Sequence, residues 1–289
     1  MSDLFNTGVR PAIDDYLLAE SQKVRDYGGY WSASSAGYCM RKNIFERLKV
    51  PHTSENPRQQ RVFSAGHIFH TWIQDITKKA GISIASEVEL QDEDLMVRGH
   101  FDDLVLIKKY ITDSGEEAVF GDTEATPTTQ LILYDYKTVN SRSFMWAKKN
   151  GNAISHFHRM QLGTYMYMLR RGSYGVEPNE HTTGFNEGHM VGKENFFGYP
   201  QLTEARILKI EKENLMMMEQ QLLWDKELET DVLAYWTKLN KAWKSKKLPE
   251  CTCADFEGGF MAKELYNPFF FKDQPCSIDW YLKWKEETK

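Results

Sequence analysis

Residues 131–138, LILYDYKT, constrain the fold more than any other stretch of this 289-residue chain. The Leu-Ile-Leu start is apolar on both faces, and such a strand is buried only in a sheet covered on both sides. A hydrophobic share of 41% and 13% aromatics supply the material for that core and exclude wholesale disorder. The same strand then turns polar at Asp135 and Lys137, so a buried strand runs directly into charge.

The hydrophobic period on either side fits such a sheet. Residues 11–25 read as a helix, and Ser34 or Ser35 can cap a second helix that contains Cys39 and ends near Val50, before Pro51. Residues 52–61 read as a loop. A helix from about Gln60 to Ala80 should bury Val62, Phe63, Phe69, Ile73 and Ile76, with Gly81 ending it. Residues 82–90 and 95–108 alternate or run apolar as strands do. Residues 110–130 read as a loop or surface hairpin, 155–171 as a helix, and 182–211 as two weaker strands. A long helix is expected over 212–245, with Leu215, Met218, Leu222, Val232, Trp236, Leu239 and Trp243 at helical spacing and Met216–Met218 as core filler.

The order predicts an α/β fold: one small mixed sheet flanked by helices, with a helical N- and C-terminal cap. Residues 1–289 read as a single domain, its core at about 60–211. The N-terminal helical segment 1–59 and the C-terminal helix and Cys-containing tail 212–289 are expected to pack together.

Several classes drop out. The longest unbroken apolar runs are five residues, Tyr165–Leu169 and Val232–Trp236, far short of the roughly 20 of a membrane helix. No G-x-G pair occurs, and Gly192-Lys193 lacks a phosphate-loop glycine upstream, so no nucleotide-driven motor is encoded here. There is no G-x-S-x-G and no H-E-x-x-H. The first fifteen residues carry no basic stretch followed by an apolar one, and four cysteines are too few for a disulfide scaffold. A cytoplasmic location, without membrane partners, is therefore expected.

In a strand, positions i and i+2 share a face, so Asp135 and Lys137 project together while Tyr136 points away. Such a pair at the end of a buried strand is costly unless it is an ion pair or serves chemistry. The preceding strand offers Asp102, three residues after Gly99, and pairing of the two strands would bring Asp102, Asp135 and Lys137 together. Two carboxylates suit Mg2+ or Mn2+, with the Tyr136 backbone carbonyl as a further ligand. Such a cation polarises a phosphoryl oxygen and lowers the pKa of bound water, and a neighbouring ammonium stabilises growing negative charge. The bland alternative is an ordinary ion pair at a sheet edge.

Further residues fall in order around this pair. Gly66 and His70 share a helix face before the sheet, and Gln161 and Tyr165 share one after it. Read along the chain, G-x-x-x-H, G-x-x-D, D-x-K and Q-x-x-x-Y over roughly residues 34–170 resemble the RecB-like branch of the PD-(D/E)XK nuclease superfamily. That branch includes CRISPR-associated adaptation exonucleases, phage exonucleases and the nuclease domains of recombination enzymes. The resemblance implies a metal-dependent DNA exonuclease acting on single strands or ends. It implies metal ligands at His70, Asp102 and Asp135, a catalytic Lys137, and substrate-positioning roles for Gln161 and Tyr165. A non-catalytic DNA-binding or assembly subunit, and a sequence-specific endonuclease, are the alternatives. A helicase, recombinase or integration complex is the implied kind of protein partner.

Part of that family holds a four-iron, four-sulfur cluster with one cysteine before the nuclease core and three after it. Cys39 precedes the core here, and Cys251, Cys253 and Cys276 follow it. One residue separates Cys251 from Cys253, and 22 separate Cys253 from Cys276, which departs from the family spacing. An iron–sulfur cluster, a zinc site and buried free thiols all remain open.

A formal charge of -5 argues against indiscriminate binding of polyanions but leaves room for a local cationic path. Arg41, Lys42, Arg58, Arg61, Arg142, Lys148, Lys149, Arg159 and the 241–247 run are candidates. Trp31, Tyr38 and Trp146 could stack on bases.

Overall fold

The computed structural model describes residues 8–21, 28–48, 57–111, 117–118, 126–149, 153–171, 201–250, 270–271 and 274–275. The elements in order are α1 (Val9–Ser21), β1 (Trp31–Ser32), a 3-10 turn (Ala33–Ser35), α2 (Met40–Arg47), α3 (Pro57–Lys79), β2 (Ser83–Asp92), β3 (Val97–Ile111) and β4 (Glu117–Ala118). There follow β5 (Thr126–Val139), α4 (Ser141–Lys149), α5 (His156–Arg171), β6 (Glu204–Glu211), β7 (Met217–Leu223), α6 (Lys226–Ser245), β8 (Phe270–Phe271) and β9 (Gln274–Pro275). No described helix is long and apolar enough to cross a membrane.

The main sheet runs β1-β3-β5-β6-β7, with β2 and β4 also paired to β3. Strand β5 is antiparallel to β3 and parallel to β6, which makes the sheet mixed. Its Leu131, Ile132 and Leu133 are at most 1% exposed, as a strand apolar on both faces requires. The α/β class and the small mixed sheet flanked by helices are therefore as expected.

The chain divides into two compact units. One comprises residues 32–36 and 69–235; the other comprises 1–31, 37–68 and 236–289. In the first, one face of the sheet gathers Val105, Ile132, Tyr134, Tyr136 and Ile210 around Ile73 of α3, with Phe69, Ile107 and Leu208 packed on the cluster. Helix α5 lies over the opposite face. Its Tyr165 is buried, and a Cβ on Gly99 would stand 2.8 Å from both the Tyr165 hydroxyl and the Ala33 Cβ. Gly99 thus lets helix and strand approach. In the second unit the buried Trp31 indole donates to Asn240 Oδ1 at 2.7 Å and meets Trp243 edge-on at 5.6 Å. The Arg47 guanidinium lies 4.3 Å from one ring and 4.4 Å from the other. Trp31 is therefore a core residue, not an exposed platform for bases.

Several elements differ from expectation. Residues 212–245 do not form one helix. The Glu211 carboxylate accepts the N–H groups of Glu213 (2.9 Å) and Asn214 (2.6 Å), Leu215 takes a left-handed φ of 57°, and the chain reverses into β7. Met216 and Met217 are accordingly exposed rather than core. Helix α6 starts only after Asp225, whose Oδ1 accepts the Leu228 N–H at 2.7 Å. Ser35 caps no helix; its hydroxyl bonds the Ser32 carbonyl, Gly37 sits at φ 78°, and α2 begins at Met40 with Cys39 as the preceding cap residue. Helix α3 begins at Pro57, a residue suited to the first helical position. Its buried positions are Ile73 and Gln74, whereas Val62, Phe63 and Ile76 are 46%, 53% and 46% exposed. Helix α4 is short, and Asn140 Oδ1 caps it through the Ser143 N–H at 2.8 Å.

Candidate active site at a fork in the sheet

The β3–β5 ladder runs from Ile111↔Thr126 to Asp103↔Tyr134 and stops there. The next donor on β5, the Tyr136 N–H, is taken instead by the side chain of Asp102, at 2.7 Å from Oδ2. Beyond this point β3 stays with β2, down to Asp92↔Val97, and β5 stays with β6, up to Val139↔Glu211. The sheet forks, and a carboxylate sits in the fork. In a strand the N–H and C=O of one residue leave on the same side, so the Tyr136 carbonyl also faces β3.

Consecutive residues of β3 face opposite ways and do different work. Asp103 is fully buried and accepts three hydroxyls: Ser83 (2.6 Å), Thr77 (2.7 Å) and Tyr136 (2.8 Å). Burial pushes its pKa up and the three donors pull it back. It anchors α3 and β5 to β3. Asp102 has no such set of donors. His70 Nδ1 stands 3.5 Å from its Oδ2, and Gln74 Nε2 donates to its backbone carbonyl at 2.9 Å. The α3 positions that meet this region, His70, Ile73, Gln74 and Thr77, are spaced as one helix face, and three of the four are polar.

Glu87 completes the group and was not identified from the sequence. The flanking pairs Ser86↔Asp103 and Val88↔Phe101 put it opposite Asp102. Gln74 Nε2 donates to its Oε1 at 2.8 Å. Its φ is 53°, a left-handed conformation inside a strand that costs a non-glycine residue about 1–3 kcal/mol. Ligand atoms of His70, Glu87 and Asp102 all lie within 4.8 Å of one another. No residue spacing announces Glu87; its place depends on the hairpin register.

On β5, Lys137 Nζ donates to Asp135 Oδ1 at 2.8 Å and Gln161 Nε2 donates to the same oxygen at 3.2 Å. Asp135 is 4% exposed, and its Oδ2 is buried with no hydrogen-bond partner among the described residues. Burial, then the Asp135 carboxylate, push the Asp102 pKa up to about 8, against Lys137 and the Tyr136 N–H; Glu87 adds to the rise. An orphaned buried oxygen and a carboxylate held toward its protonated form are what a cluster short of positive charge looks like. Hard oxygen donors with one imidazole fit a divalent cation.

His158 of α5, three residues before Gln161, adjoins this end of β5. Its Nδ1 is 3.0 Å from the Ser155 hydroxyl. Burial lowers its pKa to about 4; Asp135 opposes the shift, and Lys137 and Lys209 add to it.

Of the residues named from the sequence, His70 and Asp102 come together with Glu87, Lys137 and Gln161 meet on Asp135, and Asp135 and Lys137 act on Asp102 electrostatically. Tyr165 lies against Gly99. Of the four cysteines, Cys39 is buried in the second unit, and Cys251, Cys253 and Cys276 lie outside the described residues. Of the cations proposed for a DNA path, Arg41 bonds the Pro249 carbonyl, Arg61 pairs with Asp14 and Arg159 with Asp231. Arg142, Lys148, Lys149 and Trp146 on α4 are exposed.

No family model matches the sequence, and no curated protein matches it. Among solved structures, the crystal structure of SSO0001 is similar at 12% identity over 92% of this chain and 96% of that one, with a TM-score of 0.45. LHK-Exo in complex with dAMP is similar at 16% identity over 76% of this chain and 95% of that one, TM-score 0.40. The alkaline exonuclease LHK-Exo from Laribacter hongkongensis also matches, at 14% identity over 80% and 97%, TM-score 0.37.

Proposed function

We propose that this chain is a metal-dependent deoxyribonuclease of the PD-(D/E)XK kind, an exonuclease that hydrolyses phosphodiester bonds on single strands or DNA ends. The observation that carries the reading is the fork. Asp135 and Lys137 share one face of the central strand and act electrostatically on Asp102, which groups with Glu87 and His70, and Asp135 Oδ2 is left without a partner among the described residues.

The residues that would hold a divalent cation are Asp102, Asp135, His70 and Glu87, with the Tyr136 carbonyl. When bound, such an ion polarises a phosphoryl oxygen and lowers the pKa of coordinated water. The chain's own groups do the rest. Lys137, tied to Asp135 yet 29% exposed, presents an ammonium where negative charge grows in the transition state. Gln161 fixes the Asp135 carboxylate from α5. Gln74 holds Glu87 and the Asp102 backbone in place from α3. Asp103, facing the other way, locks the strands so that this geometry is set before substrate arrives.

With Mg2+ or Mn2+, purified protein is expected to release mononucleotides from linear DNA and to leave covalently closed circles intact. Gel and nucleotide analysis of both substrates checks this; nicked or linearised circles would favour an endonuclease. The four cysteines are proposed as a second, structural metal site, iron–sulfur or zinc. Metal analysis and the visible spectrum of anaerobically purified protein separate these from free thiols.

A further inference from the structure

We propose that Lys209 is a phosphate-binding residue of this site, holding a backbone phosphate of the substrate strand next to the one being cut, with His158 as the adjoining wall. The proposal rests on the nuclease reading and goes beyond the residues that reading names.

Strands β5 and β6 are parallel, with Lys137 and Lys209 as register partners. Partners on neighbouring strands stand about 4.8 Å apart and point to the same face. Two ammoniums side by side repel unless anions separate them. Lys137 has Asp135 at 2.8 Å. Lys209 is half-buried and its side chain makes no ion pair or hydrogen bond among the described residues.

No carboxylate of this face pairs with Lys209 among the described residues, although Asp135 Oδ2 is buried without a partner. Asp135 Oδ1 takes Lys137 and Gln161. Glu211, two residues beyond Lys209, takes the Ser141 hydroxyl at 2.7 Å and the two N–H groups of the turn that follows. His158, which interacts electrostatically with both lysines, has no anionic form that could neutralise them. Burial also lowers the pKa of Lys209 itself. A cation partly stripped of water, beside another cation and without a carboxylate, is a place prepared for an anion. A polynucleotide strand laid across Lys137 brings its next phosphate alongside.

The test is binding of a fluorescein-labelled single-stranded oligonucleotide in EDTA, followed by anisotropy over a range of NaCl concentrations, together with steady-state cleavage in Mg2+. Lys209→Gln should reduce the slope of log affinity against log salt by about 0.7, the value for one phosphate contact to a single strand. It should raise KM about tenfold with kcat little changed. Lys209→Arg should retain the slope and guard against a folding defect. Lys108→Gln, an exposed lysine at the far part of β3, should change neither quantity. Competition by inorganic phosphate at millimolar levels, equal to that of the oligonucleotide, would point to a free-phosphate site and overturn the proposal. So would an unchanged slope and KM in Lys209→Gln; cleavage by the wild type would then leave the nuclease reading standing. A wild type that neither binds nor cuts would remove both.

Discussion

Lys137→Met and Asp135→Asn are each expected to lower nucleotide release from linear DNA by at least about 100- to 1000-fold, the usual effect of deleting one charge-stabilising group. Stability separates this from the reading of the two residues as a plain ion pair. Lys137→Met leaves a carboxylate at 4% exposure without its ammonium, so metal-free protein should melt at lower temperature. The double variant removes both charges and should recover much of that loss while staying inactive. If activity returned with stability in the double variant, the pair would be structural and the catalytic assignment would fall. Single-turnover cleavage and thermal melts on the same preparations give both readouts.

The second large effect is a reversal of pH dependence by metal. Folding raises the Asp102 pKa from 3.8 to about 8, through burial first and the neighbouring Asp135 second. The folded state therefore binds this proton more tightly than the unfolded chain. Its contribution to stability is complete below pH 3.8 and is lost as pH rises through about 8. Metal-free protein should lose stability from this group as pH rises from 5 to 9. Mn2+ should add stability over the same range, and increasingly so toward high pH, because cation and proton compete for one carboxylate. Asp102→Asn should flatten both trends. His158 adds an opposite slope at the acid end. Its folded pKa of about 4 lies below the ordinary 6.5, so its share is present above 6.5 and lost as pH falls toward 4. The difference between wild type and Asp102→Asn isolates the Asp102 part. Melts between pH 5 and 9, in EDTA and in Mn2+, measure it; equal Mn2+ stabilisation at pH 5 and 9 would contradict it.

Legibility followed the range of the physics. Strand β5 could be read because burial on both faces is written in adjacent residues, and the common face of Asp135 and Lys137 follows from a period of two. The approach of Asp102 needed only that β3 and β5 pair. Glu87 was hidden because it depends on a hairpin register and on a left-handed residue that no side-chain pattern reveals. Helix α3 hides its contact face because that face is largely polar: His70, Gln74 and Thr77 meet the carboxylates of Asp102, Glu87 and Asp103 while Val62 and Phe63 are exposed. Strand β7 is built of Met, Glu, Gln and Leu, which favour helices, and pairing with β6 overrides that preference. Trp31 had the composition of a stacking platform and the burial of a core residue.

The central claim is that the fork between β3 and β5 is where a divalent cation meets a phosphodiester. Its most direct test is a Mn2+ titration in which bound ion, measured by electron paramagnetic resonance, and DNA cleavage are followed on the same samples. The expected result is that cleavage rises with occupancy in the wild type, and that Asp102→Asn and Asp135→Asn lose both together. Cleavage that persists in EDTA, or Mn2+ binding unchanged in both variants, would contradict it.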